Sequence, residues 1–182
     1  NGNVGGNFSA KLLGIASTAN KESNLSLMPK KLARFHEVGD LYYHGPRNDL
    51  TQEYNPMKVA GILNDFGTKL RTVKGNCDAE VDEMISDFKF EPQIQIQVNN
   101  KNVFFTHGHV HNKENIPDKE IDIMFYGHFH TGFIEEENGI IFANPGSISL
   151  PKNNTEHSYI IFDDEKITLK NVEGEIINEK IL

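Results

Sequence analysis

The sequence predicts an α/β fold of layered sheets, on three observations. Runs of strand length outnumber helical patterns, the few helical patterns are interleaved among them, and five apolar runs stop abruptly in glycine, histidine, asparagine or aspartate. A length of 182 residues without an internal repeat fits one domain, expected over residues 11–182. The glycine- and asparagine-rich start, residues 1–10, is expected to be a flexible leader or cloning remnant.

The elements follow in order. Residues 11–16 form a short apolar run suited to a buried strand, and 18–24 read as loop. A helix is expected over 27–35, with Pro29 in its first turn. Asn55-Pro56 opens a better one, asparagine as cap and proline at the first helical position, with Val59, Ile62, Leu63 and Phe66 on one face and Gly67 as stop. Residues 70–73 read as a strand. Val81, Met84, Ile85 and Phe88 then recur at helical spacing behind a cluster of acids, predicting another helix. From Gln93 the period becomes two: Ile94, Ile96 and Val98 alternate with glutamines, and an Asn-Asn-Lys-Asn turn leads to strand 103–105. Residues 121–126 and 140–143 are dense enough for strands buried on both faces, and 159–162, 167–169 and 175–181 read as a closing meander.

Composition narrows the function. With 37% hydrophobic and 24% charged residues, the chain has enough apolar surface to form a core, so wholesale disorder is excluded. A formal charge of −8 argues against binding nucleic-acid polymers or anionic membranes, which need a basic surface. A single cysteine, Cys77, rules out intramolecular disulfides and Cys-rich zinc sites. No run approaches the ~20 apolar residues of a membrane span, and no basic-then-apolar signal opens the chain, so a cytoplasmic protein is expected.

The chemistry collects at the strand ends: Gly39-Asp40, Gly75-Asn76-Cys77-Asp78, Thr106-His107-Gly108-His109, Gly127-His128-Phe129-His130 and Asn144-Pro145-Gly146-Ser147. Neighbouring parallel strands share one carboxyl-end rim, so these tips are expected to converge on one cleft. Taken singly each tip reads as an ordinary turn, and His107 and His109 as loop histidines, while His128 and His130, two residues apart, would project to the same side of an extended segment and suit a shared metal site. A carboxylate, an amide and several imidazoles together suit manganese, iron or zinc better than magnesium or calcium. A carboxylate can bridge two cations, which makes Asp40 the natural shared ligand, and two cations would hold a hydroxide and clamp a phosphoryl group.

In that order these motifs resemble the small calcineurin-like metallophosphoesterases, above all the YfcE-type phosphodiesterases, relatives of the retromer subunit that shares their fold. His44-Gly45-Pro46-Arg47-Asn48 sharpens the likeness, which covers roughly residues 38–170. The resemblance implies a four-layer αββα sandwich, two mixed sheets flanked by helices, with two divalent metal ions on the strand-end rim. Manganese is the first expectation, with zinc, iron or nickel as substitutes. By position, Asp40 would bridge the metals, Asn76, His107 and His128 would complete one site, and His130 would serve the other. Catalysis falls to Asn76, His107 and His109, with a metal-bridging hydroxide as nucleophile. Arg47 and Asn76 would bind substrate, a small phosphodiester. A dimer or tetramer is also implied.

Cys77 stands where many larger members carry a histidine that protonates the leaving group, and it reads as a packed thiol. His44 and Asn48 are weaker site candidates. The chain departs from the family at its start. An Asp-x-His is expected after the first strand, and Thr18-Ala19-Asn20 stands there. Phe35-His36-Glu37 also replaces the apolar strand expected before Asp40. A weakened or lost first metal site, a retromer-like binding scaffold without catalysis, and residues 1–37 that differ from the natural chain all remain open. A phosphomonoesterase or nucleotidase is the further alternative.

Overall fold

The structure, a computed structural model, describes residues 12–18, 21–29, 31–51 and 53–182. The leader expected over 1–10 lies outside them, as do Ala19 and Asn20. Along the chain run β1 (Leu13–Ala16), α1 (Glu22–Leu25), β2 (Arg34–Glu37), α2 (Pro56–Asp65), β3 (Leu70–Val73), β4 (Phe90–Glu91), β5 (Ile94–Val98), β6 (Lys101–Thr106), β7 (Ile123–Tyr126), β8 (Gly132–Glu137), β9 (Ile140–Pro145), β10 (Ser158–Phe162), β11 (Lys166–Asn171) and β12 (Ile176–Ile181). They form a seven-stranded sheet in the order β12-β11-β10-β1-β2-β3-β4 and a five-stranded sheet in the order β5-β6-β7-β9-β8.

Both sheets are mixed. The pairs β1–β2, β2–β3 and β3–β4 are parallel in the first, and β6–β7 and β7–β9 in the second. The closing meander pairs antiparallel, β10 with β11 and β11 with β12, at about the expected boundaries. The sheets pack face to face through Leu13, Ile15, Val38 and Val73 of one and Ile94, Val103, Phe105, Ile123 and Phe125 of the other. Strand alternation sends the other side chains outward, where Ala16, Phe35, Leu70 and Tyr159 meet Val59, Ala60 and Leu63 of α2.

α2 forms as its signals indicate. The Asn55 side chain accepts the Lys58 N–H, Pro56 occupies the first turn, and Gly67 follows at φ 56°. The outer face of the five-stranded sheet carries Phe104, Met124, Tyr126 and Phe142. Residues 108–122 lie against it without a helix: the Lys113 N–H reaches the Tyr126 hydroxyl, and the Lys119 ammonium sits 5.6 Å from the Phe104 ring centre. No described helix is long and apolar enough to cross a membrane.

Two expected helices are corrected. Among the described residues of 27–35 there is none: the chain makes one turn at α1 and enters β2 at Arg34. Pro29 disfavours helical backbone at the residue before it, and sheet pairing on both sides captures residues 34–37. The pattern at 81–88 yields only a 3-10 turn, Glu80–Met84, with Val81 and Met84 on the surface. Side-chain bonds divert it. Asp82 accepts the Ala79 N–H, and Asn64 of α2 both donates to the Ile85 carbonyl and accepts the Asp87 N–H. β4 and β8 were not expected.

β2 forms despite its polar residues, so pairing with β1 and β3 overrides side-chain preference. The cost is visible. His36 lies between the sheets, edge-on to Phe105 at 4.5 Å between ring centres, and neither ring nitrogen has a hydrogen-bond partner. Glu37 is fully buried with both oxygens unpartnered, directly across from Thr72, whose hydroxyl is unpartnered too. Each such group costs roughly 1–3 kcal/mol. Burial pushes the Glu37 carboxyl well above its usual range, with Asp78 adding to the effect.

Burial, reinforced by Arg71 and Arg34, pushes the His36 pKa down from 6.5 to about 3. The folded protein keeps this ring neutral while the unfolded chain protonates it, so His36 removes stability as pH falls from 6.5 toward about 3. Relative to the native chain, His36→Leu should lose about 2 kcal/mol less stability between pH 8 and pH 5. Urea unfolding followed by circular dichroism at both pH values checks this; equal losses would contradict it.

Candidate metal centre

Because β1, β2 and β3 run parallel, as do β6 and β7, their carboxyl ends share a rim. Thr18 follows β1, Asp40 follows β2, Asn76 follows β3, His107 follows β6, and His128 and His130 follow β7. Four of these have left-handed backbone: Thr18 at φ 53°, Asp40 at 58°, His128 at 66° and His130 at 59°. Such conformations cost about 1–3 kcal/mol each and persist where the surroundings impose them.

The clamp on Asp40 is Asp78. Its buried carboxylate accepts the backbone N–H groups of Asp40 and Leu41 at 2.9 Å and of Gly75 at 2.7 Å, tying the β2 tip to the β3 tip. Burial pushes the Asp78 pKa up to about 6, Asp40 adding to the rise while the three N–H groups oppose it. Asp40 Oδ1 accepts the Cys77 N–H at 2.9 Å, leaving Oδ2 for the cleft. Gly75 is required here, since a Cβ on it would lie 2.3 Å from Asp40 Oδ1.

His107 is buried, and its Nδ1 donates to the Val38 carbonyl at 2.7 Å. That bond leaves the Nε2 lone pair aimed at the rim when the ring is neutral. Around Nε2 stand Asp40 Oδ2 at 3.2 Å, Asn76 Oδ1 at 3.0 Å and His128 Nδ1 at 3.3 Å, with His128 Nδ1 also 3.1 Å from Asn76 Oδ1. An amide oxygen and a carboxylate oxygen can only accept, and Nε2 of neutral His107 is a third acceptor, so the Asp40–His107 contact needs a proton or a cation between its atoms. Burial works against ionising Asp40 and His107, but their mutual contact prevails, holding the Asp40 pKa below its usual value and raising that of His107. The donor set fits a divalent ion of the manganese, iron or zinc kind.

Of the residues expected to hold metal, Asp40, Asn76, His107 and His128 come together, whereas His130 stands to one side. Its Nδ1 donates to the Leu150 carbonyl at 2.7 Å, and its Nε2 lies 3.4 Å from the Thr18 hydroxyl. His109 is exposed, its ring centre 5.3 Å from that of His107 and 6.1 Å from that of His128, beside the ring of donors rather than in it. A cavity of about 480 Å³ opens over Asp40, Asn76 and His128 and is walled by Arg47, Cys77 and Lys152. Burial and then the Asp40 and Asp78 charges push the Cys77 thiol up to about 11, so this half-buried side chain on the cavity wall stays protonated at neutral pH. His44 is buried and donates to the Asp49 carbonyl, while the Asn48 side chain donates to the His44 carbonyl; both shape the loop that carries Arg47.

Sequence reasoning passed over Asp78 and Lys152. Asp78 closes the quoted Gly75-Asn76-Cys77-Asp78 motif, and its place there was the available signal; Lys152 follows Pro151 in an unremarkable polar loop with none.

The family model described as a calcineurin-like phosphoesterase superfamily domain matches residues 23–166. Phosphodiesterase YfcE of Escherichia coli (strain K12) is 40% identical over 134 residues, covering 72% of this chain and 73% of that protein. The solved structure of YfcE, a phosphoesterase from E. coli, superposes with a TM-score of 0.87 at 32% identity, over 93% of this chain and 98% of that one. Vacuolar Protein Sorting 29 from Cryptosporidium parvum shares the fold alone, with a TM-score of 0.63 at 17% identity over 94% of this chain and 98% of that one. The expected α/β sandwich of two mixed sheets is borne out, its helices few.

If the Asp78 clamp sets the rim, Asp78→Asn should weaken manganese binding by about 10–100-fold, as loss of a group orienting a ligand does. It should also lower stability by about 2–4 kcal/mol through the lost N–H acceptors. Titration calorimetry with denaturant unfolding tests both, and unchanged manganese affinity would refute the clamp.

Proposed function

The chain belongs to the calcineurin-like phosphoesterase superfamily and is a hydrolytic phosphoesterase; from that premise we propose that it hydrolyses a small phosphodiester with manganese as its preferred ion. One observation carries the metal dependence: four atoms of metal-ligating type, from Asp40, Asn76, His107 and His128, face one another on the rim within hydrogen-bond distance. Divalent ions held there and by His130 would supply Lewis-acid polarisation of the phosphoryl group and a bridging hydroxide as nucleophile.

The residues divide the remaining work. Asp40 carries the negative charge of the ring, and His107 is oriented by its bond to Val38. Asn76 Oδ1 faces the imidazoles, which leaves its amide N–H₂ to hydrogen-bond a phosphate oxygen. Arg47, on the cavity wall, pairs with the substrate phosphate through its forked N–H groups. His109 sits where it can position the leaving group.

A diester is favoured over a monoester because the thiol of Cys77 is too weak an acid to protonate a poor leaving group. The same reading assigns the enzyme to the cytoplasm as a dimer or tetramer, which light scattering tests.

Bis(p-nitrophenyl) phosphate should be hydrolysed only with added divalent ion, best with manganese, and chelator should abolish turnover. It should be a better substrate than p-nitrophenyl phosphate; the reverse order would favour a phosphomonoesterase, and no turnover with any divalent ion would remove the enzymatic assignment. Arg47→Ala should raise KM about tenfold or more while kcat changes less than threefold. A fall in kcat alone would contradict substrate holding.

A further inference from the structure

We infer that this chain binds one divalent cation tightly, in the ring of Asp40, Asn76, His107 and His128, and a second only weakly beside His130, because a threonine hydroxyl stands where that position needs a carboxylate. The inference rests on the metal-dependent reading above.

Two positions on the rim are geometrically prepared and chemically unequal. In the first, a carboxylate, an amide oxygen and two imidazoles converge. Among the described residues, Asp40, His107 and His128 are a group of acidic and histidine side chains whose donor atoms all lie within 4.8 Å of one another, and His130 falls outside it. In the second, His130 Nε2 is the ring's free acceptor, since Nδ1 donates to Leu150. It faces Thr18 Oγ1 at 3.4 Å.

Thr18 is seated as firmly as the other tips. Its N–H donates to the Gly39 carbonyl at 3.3 Å, its own carbonyl accepts the Ser149 hydroxyl, and its backbone shares the left-handed conformation of Asp40 and His130. The position is therefore aimed at the rim but supplies a neutral oxygen.

Charge decides the difference. Two divalent ions about 3.5–4 Å apart repel strongly and are held together by anionic ligands. Asp40 is the carboxylate available to both, and Asp78 is committed to three backbone N–H groups. A β-branched threonine is also an uncommon occupant of left-handed backbone, whereas aspartate is enriched there. Thr18→Asp should therefore restore charge with less backbone strain than the threonine carries.

Manganese titration of the whole chain tests this by calorimetry and electron paramagnetic resonance, neither of which reads turnover. The native chain should take up one equivalent at least 100-fold more tightly than a second and show the six-line spectrum of an isolated ion. Thr18→Asp should bind two equivalents tightly, with the six-line signal replaced by that of a spin-coupled pair. His130→Ala should change the first equivalent less than threefold. Two tight equivalents in the native chain, no gain in Thr18→Asp that retains its native circular dichroism, or a tenfold loss of the first equivalent in His130→Ala would each overturn the inference. No binding of even one equivalent would instead remove the metal-dependent reading.

Discussion

A carboxylate oxygen and an imidazole nitrogen whose ring is already committed on its other side do not stay in contact unless a proton or cation lies between them. The rim brings a carboxylate oxygen, an amide oxygen and two imidazole nitrogens from four strand ends to within 3.0–3.3 Å in several pairings. Much of the fold is arranged to keep that contact in place. Parallel pairing puts the strand ends on one side, left-handed residues turn the side chains inward, and Asp78 and Val38 fix Asp40 and His107 from behind. Asp40 and His107 are buried, where an unpaired polar group is costly, so their contact is favourable only with a proton or cation between them.

The portion of the fold legible in the sequence was the portion with a strong local signal. The two-residue alternation at 94–98, the dense runs behind His107 and His128, and the Asn55-Pro56 start each announce an element through side chains alone. What failed was decided by contacts distant in sequence. The apolar spacing at 81–88 looked helical, but Asn64 of another element redirects that segment. β2 reads poorly because His36 and Glu37 contradict their environment, and only pairing on both flanks makes it a strand.

The site was legible to a similar degree. Asp40, Asn76, His107 and His128 could be named because ligand-type residues ended apolar runs beside glycines. Asp78 escaped notice because its function is expressed through backbone N–H groups that only the folded rim brings together. His130, two residues from His128, points to a separate neighbour because both sit in left-handed backbone rather than the extended segment their spacing suggested.

The layer over the five-stranded sheet bears on how this protein can vary. Residues 108–122 cover Phe104 and Tyr126 as an irregular stretch braced by its own asparagines, Asn112 donating to the Gly108 carbonyl and Asn115 to that of Val110. His107 and His128 are anchored at its borders by β6 and β7, not by the stretch itself. Beyond Gly108 and His109, length and sequence there can drift, or an inserted module can be accepted, with the ligand geometry undisturbed. New recognition surfaces can therefore be grafted beside the rim of ligand-type side chains without rebuilding it.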